Sequence, residues 1–183
     1  MKKIILSLLL LSCSISSAAT IEQLSYPVDK NTSTISINFG DTTKPAYRKI
    51  TYQYVSMKID TYSGNTIHAP KDGIVKQITH LTPLSSTIVL EHCDVYGEHY
   101  TSTISNIYNI PTEIIIGKVV DEDSIIGYVS TTFIQFSVRN APYTQNASYL
   151  YLPVTSSWLP ATMSKDTTLY SPEYFINPVL HLK

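Results

Sequence analysis

Five histidines (His68, His80, His92, His99 and His181), Asp60 and Cys93 are the side chains in which metal binding or nucleophilic chemistry would first be sought. Imidazoles are good zinc ligands, and a site drawn from Asp60, His92 and His99 is conceivable, but nothing in their spacing recommends it. Cys93 beside His92 is the nearest approach to a thiol–imidazole pair. Neighbours on a strand point to opposite faces, which is poor geometry for proton transfer between them. No Gly-x-Ser-x-Gly elbow is present. His80 is expected in a loop beside Leu81-Thr82-Pro83, and His99 on the opposite strand face from Tyr100. Asp60, two residues from Lys58, can be read as a surface acid paired with that lysine.

The elements that must position these residues are strands. Beyond the first residues Ile, Val, Thr and Tyr dominate, types that suit pleated, half-buried surfaces, while Ala, Leu and Glu are sparse. Strands are expected at Ser33–Phe39, Ile50–Lys58, Gly73–His80, Ser86–His92, Tyr100–Ile107, Glu113–Ile116, Ser124–Ser130 and Thr132–Arg139. They are separated by turn chemistry such as Ser63-Gly64-Asn65, Pro70-Lys71-Asp72-Gly73 and Tyr96-Gly97. Many short strands without a helical period between them indicate an all-β fold, a sandwich or open barrel. Residues Asn140–Pro172 are rich in Tyr, Ser, Thr and Pro with weak periodicity and read as an irregular arm. Phe175 to Leu180 is apolar enough to dock back on the domain.

The first residues address the compartment. Lys2-Lys3, an apolar run from Ile4 to Leu11 and the small residues Ser17-Ala18-Ala19 have the form of a signal peptide cut after Ala19. The run is far short of the ~20 residues that span a bilayer. Leu10-Leu11-Ser12-Cys13 offers an alternative, lipoprotein processing at Cys13. Cleavage after Ala19 leaves 11 basic against 14 acidic side chains, a formal net charge of −3, with no basic stripe for a nucleic-acid backbone. Cys93 is then the one remaining cysteine, so the mature fold must be held by its core and not by an internal disulfide. The expected organisation is a leader (1–19) and a single β domain (20–183), its core at about 35–139 and its arm at about 140–172.

The order of landmarks resembles the LytM/lysostaphin zinc endopeptidases, which cut peptide cross-bridges in bacterial cell walls. Ile37-Asn38-Phe39-Gly40 stands where that family has a strand ending in Phe-Gly. Ser56 to Asp60 takes the place of its His-x-x-x-Asp segment. Gly64-Asn65-Thr66-Ile67-His68-Ala69-Pro70-Lys71-Asp72-Gly73-Ile74-Val75 matches its Gly-x-x-Val-x-Ala-Pro-x-x-Gly-x-Val turn nearly position for position. Tyr100 to Ser105 follows as the Tyr-x-x-His-Leu strand, and Val120 to Gly127 as the Val-x-x-Gly-x-x-Ile-Gly stretch, with Asp123 in place of the middle glycine. Phe133-Ile134-Gln135 takes the place of His-x-His. The resemblance implies the LytM type of open β fold. In the turn it makes His68 an exposed variable position, and it gives His92 a structural, hydrogen-bonding role.

Carried over residue by residue, the family's zinc ligands fall on Ser56, Asp60 and Gln135, and its assisting histidines on Thr103 and Phe133. A catalytic zinc takes three protein ligands and an open position for water. A hydroxyl and an amide replace imidazoles here, and Phe133 cannot move a proton. The resemblance therefore implies a degenerate site, with no catalytic residue, no metal and no cofactor. It points to an inactive binding or regulatory module of the bacterial envelope, periplasmic or secreted, whose partner is an envelope protein or peptidoglycan. The expected docking surface is the inherited groove: Tyr100, Thr103, Phe133 and Gln135 on the floor, with Tyr151 and Trp158 of the arm as a wall. Two other readings stay open, an active metallopeptidase with unusual ligands and an unrelated secreted β-sandwich of adhesin, pilus or inhibitor type.

Overall fold

A computed structural model describes residues 20–43, 52–143, 158–160 and 175–183. The leader, most of the arm and residues 44–51 lie outside them. Among the described residues there is no α-helix. The strands are β1 (Thr34–Ile37), β2 (Thr42–Thr43), β3 (Tyr52–Tyr54), β4 (Met57–Asp60), β5 (Thr66–His68), β6 (Gly73–Thr82), β7 (Ser85–Cys93), β8 (His99–Tyr108), β9 (Val119–Val120), β10 (Ile125–Val129), β11 (Phe133–Arg139), β12 (Trp158–Pro160) and β13 (Phe175–Ile176).

The main sheet runs β1-β4-β11-β8-β7-β6-β9 with antiparallel neighbours throughout. Its long centre is built from two hairpins, β6–β7 across Pro83-Leu84 and β7–β8 across Asp94–Glu98. Alternation then sorts the side chains. One face carries Ile59 opposite Ile134, Met57 opposite Phe136, and Ile104 opposite both Phe136 and Ile88; all six are fully buried. β10 leaves β8 to pair with β5, and so carries Ile67 and Ile126 onto that same core together with Leu24 and Val28 of the preceding segment.

Most of the expected strands are present, shifted by one or two residues. Three differences have physical causes. The expected strand Ile50–Lys58 is broken at Val55-Ser56, where the chain bends; β3 belongs to a separate small sheet with β2 and β12, and only β4 joins the main one. Glu113–Ile116 is not a strand but a pair of turns, closed by Ile114 N–H to Pro111 O and Lys118 N–H to Ile115 O. Its isoleucines have no strand to pair with: Ile114 is buried, whereas Ile115 and Ile116 are exposed. His80 lies within β6 rather than in a loop, though it is exposed. The short strands β5 and β9 had no signal of their own. Phe175-Ile176 does return to the domain, pairing with Arg139 and Val138 of β11.

Candidate functional site

β4 and β11 run side by side with Asp60 opposite Phe133 and Lys58 opposite Gln135. On its other flank β11 sets Gln135 opposite Ser105 and Ser137 opposite Thr103 of β8. Directly opposed residues share a face, so Asp60, Phe133, Gln135 and Thr103 all lie on the side of the sheet away from the core. The structure thus brings together four of the positions carried over from the sequence. Ser56, one residue before β4, is buried at the bend.

What this face holds is an ion pair. Lys58 and Asp60, two apart on one strand, put Nζ 2.8 Å from Oδ1. The hydrogen bond from the Lys58 ammonium holds the Asp60 carboxyl below its usual range. The same Nζ stands 4.6 Å from the centre of the Phe133 ring, a cation–π contact across the strands. The donor set does not fit zinc. The one surviving carboxylate is engaged by a lysine, and an ammonium so close opposes any second cation. Among the described residues no three His, Cys, Asp or Glu side chains converge to hold a metal ion.

Tyr100 corrects an expectation. The resemblance implies a place on the groove floor beside Thr103, but residues three apart on a strand face opposite ways. Its ring is 1% exposed, deep in the core, 4.9 Å from the His92 imidazole, and burial pushes its phenol pKa well up. It offers no surface for binding. Tyr151 lies outside the described residues. The backbone of Trp158 pairs with Tyr54 in the small sheet.

The histidines are accounted for one by one. His92 is buried, with Nδ1 2.8 Å from the Asp72 carbonyl and Nε2 2.7 Å from Ser102 Oγ, which leaves neither nitrogen for a metal shared with Asp60 and His99. His68, half-buried, bonds Asp123 O and Thr66 Oγ1; His181 bonds Ile21 O.

A polar cluster that the sequence did not announce lies farther along the same face. Glu91, 8% exposed, has Oε2 2.7 Å from Lys76 Nζ and 3.5 Å from His99 Nδ1, while Oε1 accepts the Tyr143 N–H at 2.7 Å. Burial alone would raise the Glu91 pKa; Lys76, the Tyr143 N–H and His99 more than reverse it. Lys76 reaches Glu91 because it stands two residues after Ile74, which faces Glu91, and so shares its side of the sheet; the register shifts there, between Val75 and Gln77. Tyr143 also sets its hydroxyl 3.4 Å from Gln77 Oε1, so the chain leaving β11 crosses back over β7 and β6. A cleft of about 710 Å³ opens elsewhere, between residues 109–114 and residues 118–121, 124, 125 and 128, and none of the carried-over positions lines it.

No protein-family model matches the sequence, and no curated protein matches it. Solved structures do. The chain is similar to a zinc-containing peptidase from Vibrio cholerae, with 20% identity and a TM-score of 0.54 over 67% of this chain and 39% of that one. It is similar to Csd3 of Helicobacter pylori, with 19% identity and a TM-score of 0.52 over 69% and 34% of the two chains. A chain of the SpoIIIAH–SpoIIQ complex matches with 15% identity and a TM-score of 0.50, over 69% of this chain and 99% of its own length. The chain therefore spans little more than a third of the first two proteins, and at these identities the likeness is one of fold. It removes the unrelated sandwich from consideration: the described residues carry the LytM-type peptidase fold.

Proposed function

We propose that this chain is an exported, catalytically inactive LytM-type module that binds or regulates within the bacterial envelope and acts on peptidoglycan remodelling through a partner protein. The observation that carries the reading is the Lys58 ammonium beside Asp60 and over Phe133, at the positions where the resemblance puts a ligand and an assisting histidine. An internal cation there supplies the positive charge without an open position for water. Export rests on the leader at 1–19. No helix among the described residues is long and apolar enough to cross a membrane.

Elemental analysis of protein purified without chelator tests the inactive reading. The expected result is far less than one zinc per chain, unchanged by Asp60→Ala. Stoichiometric zinc that disappears in Asp60→Ala would overturn it in favour of a metallopeptidase with unusual ligands.

Docking is assigned to the same face, around Phe133 and Gln135, with Trp158 contributing from the arm. Aromatic side chains bring large contact area at low entropy cost and recur as interface anchors. Cross-linking capture from the native envelope with the mature chain as bait should weaken for folded Phe133→Ala and Trp158→Ala, and not for Lys30→Ala at an exposed site. Undiminished capture by both aromatic variants would place binding elsewhere.

A further inference from the structure

The segment ahead of β1 is tied into the fold from its first residues. Leu24 is fully buried and bridges Leu182 in parallel, donating its N–H to His181 O at 2.7 Å and accepting the Lys183 N–H at 2.9 Å. Ser25 donates its N–H to Pro70 O and its hydroxyl to Glu122 Oε1. Glu22 pairs with Lys71 at 3.1 Å, and Lys71 and Lys183 both reach Glu122. At the head of this segment, the Thr20 nitrogen is 2.7 Å from Asp94 Oδ2.

Asp94 is built to hold that nitrogen. It opens the β7–β8 hairpin turn and is 7% exposed. Its Oδ1 accepts the N–H groups of Tyr96 and Glu98, each at 2.9 Å, which fixes the carboxylate plane and leaves Oδ2 for Thr20. A turn needs only the first of these oxygens. The second meets a nitrogen 74 residues away in sequence, at the position where the leader reading places the cut.

We propose that Asp94 is the receptor for the α-ammonium group of Thr20, created when a leader peptidase hydrolyses the Ala19–Thr20 bond. The proposal rests on the leader reading and is independent of whether the domain is inactive. In the cut, water adds across the peptide bond: Ala19 leaves as a carboxylate and Thr20 keeps the nitrogen as an ammonium. The nitrogen that offered one N–H as an amide then offers three, and its full positive charge adds an ion pair to a hydrogen bond whose acceptor was already charged. Removal of the leader thereby tightens the segment that places Leu24 in the core. Processing at Cys13 would instead leave the Thr20 nitrogen an amide.

Two measurements test this together. Intact mass of the exported protein should correspond to a chain starting at Thr20. Urea midpoints would be compared for a chain beginning at Thr20, released from a fusion, and one retaining Ala18-Ala19, each with and without Asp94→Asn. Asparagine is chosen because its Oδ1 still accepts from Tyr96 and Glu98 while the charge facing Thr20 is gone. The Thr20 chain should have the higher midpoint, and the gap should close with Asp94→Asn. An exported chain that starts elsewhere, equal midpoints in the parent background, or a gap that persists in Asp94→Asn would each overturn the proposal.

Discussion

Lowering the pH from about 7 to about 4.5 should cost this fold about 2 kcal/mol of unfolding free energy through one side chain, His92. Its ring is 1% exposed, and burial brings its pKa down from the ordinary 6.5 to about 4, against the opposing pull of the Asp72 carbonyl and the Asp72 and Glu91 charges. The carbonyl of Asp72 can only accept, so Nδ1 carries the proton and Nε2 accepts from Ser102. A neutral imidazole satisfies both partners. An imidazolium there is a charge deprived of water. Because the folded pKa lies below the unfolded one, the unfolded chain binds the proton first as pH falls. The contribution is fully present above about pH 6.5, falls away toward about pH 4, and adds no further loss below that. Glu91, Asp94, Asp60 and Glu122 are also held below their usual values, but they act under about pH 4.5, beneath most of the window of His92. Urea unfolding of the parent and of His92→Gln across this window separates the two contributions. Between about pH 7 and 4.5 the parent should lose about 2 kcal/mol and the variant should lose little. A variant with the same pH slope as the parent would show that another group is responsible.

That histidine also illustrates what was legible in advance. Its structural role followed from the resemblance, and the resemblance survives at residues with a backbone reason to be what they are. Asp123 stands where the family has glycine, and it adopts a left-handed φ of 66°, a conformation Asp tolerates better than most residues. The Val120–Gly127 stretch thus has a left-handed residue at the place of the family's glycine, with a different side chain. The long strands β6, β7, β8 and β11 were readable because each runs for seven residues or more, is rich in β-branched and aromatic residues and is bounded by turn residues. Two-residue strands such as β9 carry no period, and β5 is three residues long and defined by a partner about sixty residues away. Glu113–Ile116 failed for the reverse reason: β-branched residues express a preference for strands, and a strand still needs a neighbour.

The candidate site divides in the same way. That Asp60, Thr103, Phe133 and Gln135 share a face is a matter of serial order and alternation, both readable. Lys58 beside Asp60 was readable as a pair, but its place over Phe133 depends on the β4–β11 register, which only the fold supplies. Tyr100 was misplaced although alternation alone would have put it opposite Thr103. Glu91 in its buried cluster was invisible because the β6–β7 register that brings Lys76 to it, and the return of Tyr143, have no sequence mark.

A large loss from a single added methyl group is expected at Gly73, the glycine of the turn motif just ahead of Ile74-Val75. A Cβ placed there would lie 2.7 Å from the Glu91 carbonyl oxygen, 2.7 Å from His92 Nδ1 and 3.1 Å from His92 Cε1. None of these is a mobile chain end. Glu91 O is backbone in the β6–β7 ladder, where Ile74 faces Glu91, and the imidazole is locked between Asp72 and Ser102. Accommodating Gly73→Ala means either spreading β6 from β7 or withdrawing the ring from Asp72 O. Overpacking of a tight core costs about 1–3 kcal/mol, and a buried group left without its partner about as much again, so a loss of roughly 3 kcal/mol is expected. The double variant tells the two routes apart. If the ring is the chief obstacle, His92→Ala combined with Gly73→Ala will be less destabilised than the two losses added together, and the remaining pH slope in Gly73→Ala alone will shrink as the displaced imidazole meets water. If the carbonyl is the chief obstacle, the losses will add, because removing the ring leaves the backbone in the way. A Gly73→Ala protein with the parent's urea midpoint would mean that this close approach does not exist, and that the glycine stands in the motif for another reason.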